Sequence, residues 1–151
     1  MSDHIFAAYG VGLNRTEMAK YCPTAKSIGV TELKNFRLAF RGGNACAVAS
    51  IEKAKGGSVP ALLWEIATQD EAALDRLIGS PEQYRKETVK VKLGRASVPA
   101  MAYIMNEGRP LALPGAYYYA TIRQGYKDCG LDDAVLKAAA AFSAKEEEDE
   151  R

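Results

Sequence analysis

Ile5-Phe6-Ala7-Ala8-Tyr9-Gly10-Val11-Gly12-Leu13-Asn14 is the stretch around which the chain is organised. An apolar run of strand length, Ile5 to Tyr9, ends in two glycines one residue apart. A polar segment with helical spacing follows, Asn14 to Tyr21. The order reads as strand, tight glycine loop, helix. Such a loop turns consecutive backbone N–H groups toward a helix entrance, where they can hold an anion such as a carboxylate. A plainer reading serves the loop as well: Gly10 and Gly12 permit a turn with positive φ and nothing more.

Composition narrows what surrounds this stretch. The 151 residues are 48% hydrophobic, enough for one domain with a core of ordinary size. Twenty basic residues against 19 acidic ones leave a net charge of +1, which points to neither nucleic acid nor an anionic membrane surface. No apolar run approaches the roughly 20 residues that span a bilayer. Met1-Ser2-Asp3-His4 lacks the positive cluster that opens a signal peptide. Cys22, Cys46 and Cys129 are odd in number and scattered, so they read as reduced thiols of a cytoplasmic protein, with Cys46 an inert buried one. His4 is the only histidine. That argues against a Ser-His or Cys-His hydrolase and against a catalytic metal, so neither metal nor cofactor is expected.

Along the chain, Met18 and Tyr21 give the first helix a core face, and Cys22-Pro23 closes it. Thr24 to Thr31 leads into a strand, Glu32 to Phe40, with Phe36, Leu38 and Phe40 on one face. Gly42-Gly43-Asn44 reads as a turn, and Ala45 to Glu52 as a strand whose Ala45, Ala47 and Ala49 admit a close neighbour, backbone or ligand. Lys53 to Ser58 reads as a loop before the apolar strand Val59 to Ile66, which holds the only Trp, Trp64. Thr68 is expected to cap a helix Gln69 to Leu77 that ends at Ile78-Gly79-Ser80-Pro81. Tyr84 to Leu93 alternates, with Val89, Val91 and Leu93 inward, and turns at Gly94-Arg95 into Val98 to Met105. After the loop Asn106 to Gly115 come helices Ala116 to Asp128 and Leu131 to Phe142, the second started by Asp132 or Asp133. Tyr118, Ile122 and Gly125 share one side of the first, and Gly130 is its stop signal. We take residues 1–142 as the domain and 143–151 as a charged tail that frays into solvent. Strands early and helices inserted or appended make an α+β fold with a mixed sheet, open or closed on itself.

Several segments in this order resemble the gamma-glutamylcyclotransferase-like superfamily, which includes the plant avirulence-induced-gene-like (AIG2-like) proteins. They are Tyr9-Gly10-x-x-Leu13-Asn14; Met18…Cys22-Pro23-x-Ala25; Leu38-x-Phe40; Ala49-x-Ile51; Val59-Pro60-x-Leu62-Leu63-Trp64-Glu65-Ile66; Leu74-Asp75-x-x-x-Gly79; Tyr84; Ala102-Tyr103; and Pro114…Tyr118…Ile122-x-x-Gly125. The likeness spans about residues 4 to 130. It implies a small mixed β-barrel flanked by helices, as in the bacterial single-domain members. It also implies a chemistry: the α-amine of a gamma-glutamyl amine attacks its own γ-carbonyl, closing 5-oxoproline and freeing an amine. The enzyme gains by holding that near-attack geometry. In the family a Tyr-Gly-Ser-Asn loop holds the α-carboxylate, and a Glu before a Gly moves the proton.

This chain departs from that pattern at three places. Val11 and Gly12 stand where the resemblance expects Ser and Asn, and Ile78, before Gly79, stands where it expects the Glu. Ile78 cannot exchange a proton, and loss of a general acid–base costs roughly 10²–10⁴-fold in rate. Whether the chain is an enzyme is therefore left open. The first expectation is a pseudoenzyme that binds a small carboxylate- or phosphate-bearing molecule at Tyr9, Gly10, Val11, Gly12, Leu13, Ile78, Tyr84 and Tyr118, with no standard turnover. The second is an enzyme of the family with a displaced acid–base, Glu82 or Asp75, running 5-oxoproline formation or another acyl-transfer or lyase-like reaction. The third is an interaction module with a vestigial pocket, whose Tyr-rich and Ala-rich helices could join a partner or further copies in a homo-oligomer. Glu52 and Glu65 read as partners for nearby bases, and Arg37 and Arg41 as surface groups within reach of an anion.

Overall fold

A computed structural model describes residues 4–42 and 47–149. Gly43, Asn44, Ala45 and Cys46, and with them most of the expected turn and the start of the small-residue strand, lie outside the described residues. So do Glu150 and Arg151, and the side chains from Lys145 on. Among the described residues five strands form one sheet: β1 (His4–Ala8), β2 (Lys26–Arg41), β3 (Val48–Ile66), β4 (Tyr84–Leu93) and β5 (Ala96–Met105). Four helices accompany it: α1 (Arg15–Tyr21), α2 (Thr68–Ile78), α3 (Ala116–Asp128) and α4 (Ala134–Asp149).

The strand order is β2-β3-β1-β5-β4, which puts β1 at the centre. It runs antiparallel to β3, with Phe6 opposite Trp64, and parallel to β5, with Phe6 opposite Met101. A central strand is covered on both faces, so β1 is a continuous apolar run in which Phe6, Ala7 and Ala8 are all buried. The sheet is mixed, as expected, but it is not closed into a barrel. β2 and β4 are its edges and share no ladder with each other.

β2 and β3 are longer than their sequences suggest. β2 begins at Lys26, inside the segment read as a lead-in. The expected loop Lys53 to Ser58 lies inside β3, and Val48 to Ile66 is one strand of 19 residues. The reason is a bulge: the register shifts between Lys34 and Phe36, where Asn35 has φ 66° and its Oδ1 accepts the Gly56 N–H. The glycines that mimic a loop here supply the irregular backbone of a bent hairpin.

The cap of α2 also differs from expectation. The cap residue is Ala67, not Thr68, and the buried Asp70 carboxylate accepts the Ala67 N–H at 3.0 Å. β4 and α3 occupy the expected residues. α4 starts three residues later than expected, with Asp132 Oδ1 accepting the Ala134 N–H, and it continues past Phe142. Ser143, placed by the sequence reading at the head of the tail, is fully buried, and its Oγ accepts the Phe40 N–H. No helix among the described residues is long and apolar enough to cross a membrane.

Candidate functional site

The glycine loop leaves the sheet at the C-terminal end of its central strand. Val11–Leu13 form one 3-10 turn, and Asn14 caps α1 by accepting the Glu17 N–H at 3.1 Å. The turn is fixed from behind. The Trp64 indole N–H donates to the Gly12 carbonyl at 2.8 Å, the Cys129 thiol approaches the Leu13 carbonyl at 3.7 Å, and Asn14 Nδ2 donates to the Thr121 carbonyl. Inside the turn, the Leu13 and Asn14 N–H groups bond the carbonyls of Gly10 and Val11. The first N–H groups of such a turn, those of Val11 and Gly12, have no partner within it.

The loop opens on a cavity of about 530 Å3. Its walls come from β1, the loop, α1, α2 and α3, with Val48 and Ala49 from β3, Tyr84 from β4 and Tyr103 from β5. Of the residues expected at the site, Tyr9, Gly10, Val11, Gly12, Ile78, Tyr84 and Tyr118 line it. Leu13 does not. It is fully buried under α3, where Gly125 packs on its backbone. Glu82 also stays out: it is exposed, and its carbonyl accepts from Asn106 Nδ2. Asp75 is not in the wall but is bonded to a residue that is, accepting the Tyr103 hydroxyl at 2.5 Å and pairing with Lys86 at 3.0 Å.

The tyrosines divide by what their protons do. Tyr9 donates to the Tyr103 carbonyl at 2.6 Å, Tyr84 to the Ala49 carbonyl at 2.7 Å, and Tyr103 to Asp75. Tyr118 instead accepts the Ala49 N–H at 2.9 Å, so its own O–H is still free to donate among the described contacts. A Cβ placed on Gly10 would lie 4.0 Å from that hydroxyl. The free phenol proton and the loop are thus neighbours. Ala49 is small because the loop packs on it, and its outward peptide groups bond two tyrosine hydroxyls where a further strand would otherwise pair. Burial raises the pKa of all four phenols, and the Asp75 carboxylate raises that of Tyr103 further. All four remain neutral hydrogen-bonding groups near pH 7.

Sequence reasoning missed three groups. Glu17 of α1 and Arg109 of the loop after β5 are the only charged side chains in the lining among the described residues. Glu17 pairs with Lys20 at 2.7 Å, and Arg109 bonds Gln83 Oε1. Trp64, read as part of an apolar strand and of a segment that carries the resemblance but given no task at the site, anchors the loop. The Asn14-x-x-Glu17 spacing at a helix start was the one available signal for Glu17. Arg109 and Trp64 reach the site through tertiary folding alone. Elsewhere, Glu52 is bonded by Arg37 and Arg41, His4 lies 3.7 Å from Glu71, and Cys22 and Cys129 are free. No cluster of metal-ligating side chains occurs among the described residues.

With this geometry in hand, comparison with known proteins is direct. A search of curated proteins finds no match. Among solved structures, an uncharacterized protein, loc79017, from Homo sapiens superposes with a TM-score of 0.80 at 22% identity, over 97% of this chain and 88% of that one. A structure named Gamma-glutamyl cyclotransferase gives 0.77 at 23% identity, over 97% and 87%. YkqA from Bacillus subtilis gives 0.79 at 16% identity, and this chain matches 55% of its length. At such identities these likenesses concern the fold. A sequence model described as Gamma-glutamyl cyclotransferase, AIG2-like, matches residues 6–121, and the chain belongs to that family.

Proposed function

We propose that this protein binds a small anionic molecule, carboxylate- or phosphate-bearing, in the cavity at the Tyr9–Leu13 loop, without the ring-closing turnover of gamma-glutamyl amines. The observation that carries the reading is the Tyr118 hydroxyl. Its proton is unspent, and it lies beside a loop whose first N–H groups have no partner in their own turn. Donors gathered with no internal acceptor suit an anion. The apolar wall of Met18, Leu74, Leu77 and Ile78 suits an apolar body behind that head. Ile78, at the position where the resemblance expects the proton-moving Glu, cannot take up a proton. The free thiols Cys22 and Cys129 suit a reducing compartment such as the cytoplasm.

The test is an assay of the pure protein with a panel of gamma-glutamyl amines, scored for 5-oxoproline by mass spectrometry beside Ile78→Glu, with binding followed by calorimetry. Binding without 5-oxoproline in the parent is the expected result. Turnover by the parent at an ordinary enzymatic rate would overturn it.

One observation favours a second reading, an active enzyme with a displaced acid–base. Tyr103 lines the cavity and bonds Asp75, which precedes Ile78 by one helical turn. If the parent does turn over, Asp75→Asn should abolish the activity while leaving binding intact.

A further inference from the structure

A cavity that holds an anion should not carry a carboxylate in its wall unless the ligand brings something to meet it. This one carries Glu17, and among the described residues the lining has only one other charged side chain, Arg109. The two belong to different elements, α1 and the loop after β5, and do not pair with each other. Each has a partner of its own, Lys20 and Gln83. Glu17 belongs to the cavity lining and its side chain is 17% exposed, whereas its partner Lys20 is 54% exposed. A lysine that exposed is a weak and easily displaced counter-ion. Resting on the anion-binding reading above, we infer that Glu17 is a specificity-determining residue: it selects ligands that carry an ammonium or comparable N–H donor in addition to the anionic head, and rejects those with a second anion.

The rest of the lining supports this role. Met18, Tyr21, Leu77 and Ile78 offer no charged partner, so a second charge on the ligand is left to Glu17 or Arg109. A ligand cation that displaces Lys20 gains a less exposed carboxylate and releases the lysine to water. A second ligand anion would meet Glu17 at short range in a partly desolvated site, which costs several-fold to many-fold in affinity.

Three para-substituted benzoates isolate the effect, because they share one ring and one carboxylate: 4-(aminomethyl)benzoate, 4-ethylbenzoate and 4-(carboxymethyl)benzoate. Isothermal titration of the parent protein at pH 7 should rank them in that order, the ammonium compound binding at least about tenfold more tightly than the ethyl compound. Glu17→Gln should remove the advantage of the ammonium compound over 4-ethylbenzoate. Lys20→Met, which frees Glu17 from its competitor, should enlarge it. Equal binding of the ammonium and ethyl compounds by the parent, or a preference that survives Glu17→Gln, overturns the inference while the anion-binding reading stands. Binding of none of the three overturns the anion-binding reading itself, and this inference with it.

Discussion

Gly12 shows how one residue decides what the pocket can be. A Cβ there would lie 2.7 Å from the Ala8 Cβ and 3.5 Å from the Phe6 ring. The Asn that the resemblance expects at this position therefore has no room while Ala8 keeps its methyl. The two positions act as a pair, one on the last turnward residue of β1 and one in the loop. Gly12→Asn should destabilise the protein by about 1–3 kcal/mol through overpacking. Ala8→Gly alone should also cost, since it adds strand entropy in the unfolded chain. Combined, they should cost less than their sum by at least about 0.5 kcal/mol, because the second removes the overlap created by the first. Urea denaturation of the four proteins checks this. Strict additivity would mean that the loop moves aside instead, and that the donor geometry beside Tyr118 is softer than described.

Among the elements, the long β2–β3 hairpin is held at its outer end by charge as well as by backbone bonds. Arg37 and Glu52 are directly opposed across the strands, and Arg41 reaches the same carboxylate. Partial burial pushes the Glu52 pKa up, but the hydrogen bonds and charges of Arg41 and Arg37 outweigh it and hold the group below its usual value. A carboxylate depressed in the folded state adds stability that is complete above its unfolded pKa of about 4.3 and is lost as pH falls through the lower folded value. Glu52→Gln should therefore melt below the parent at pH 7, by an amount equivalent to roughly 1 kcal/mol after solvent screening. The gap should close as pH is lowered from about 4.3, visible as converging melting curves. A gap that persists undiminished in acid would assign the loss to packing and not to the ion pairs. This hairpin is also where element reading failed. Lys53 to Ser58, rich in Lys, Gly and Ser, carries every local mark of a loop, and only pairing with β2 around the Asn35 bulge keeps it within a strand.

At the scale of the whole molecule, what the sequence discloses follows from range. Tyr84 to Leu93 and Ala116 to Asp128 are legible because their patterns are local and strong, and the structure keeps those bounds. The loop lining was legible because one short motif carries it. Glu17, Arg109 and Trp64 were not, since nothing near them in sequence indicates that α1, the loop after β5 and β3 converge on one cavity. The open sheet was equally hidden, because edge pairing depends on how far the long strands bend. Gly125 joins the two scales: its place on the Tyr118–Ile122 face was readable, but its task was not. A Cβ on Gly125 would lie 2.6 Å from the Leu13 carbonyl carbon and 2.8 Å from the Asn14 nitrogen, both backbone atoms that cannot rotate away. Helix propensity alone predicts that Gly125→Ala stabilises α3 by about 1 kcal/mol. Overpacking against backbone predicts a loss of about 1–3 kcal/mol or more, so a net loss is expected. The helix must lift off the 3-10 turn, and Tyr118, on the same face two turns earlier, must draw away from Ala49 and Gly10. The variant should therefore lose stability in urea and lose affinity for 4-ethylbenzoate together. A variant that gains stability and keeps its affinity would show that α3 can slide without disturbing the loop, and that the pocket does not depend on this contact.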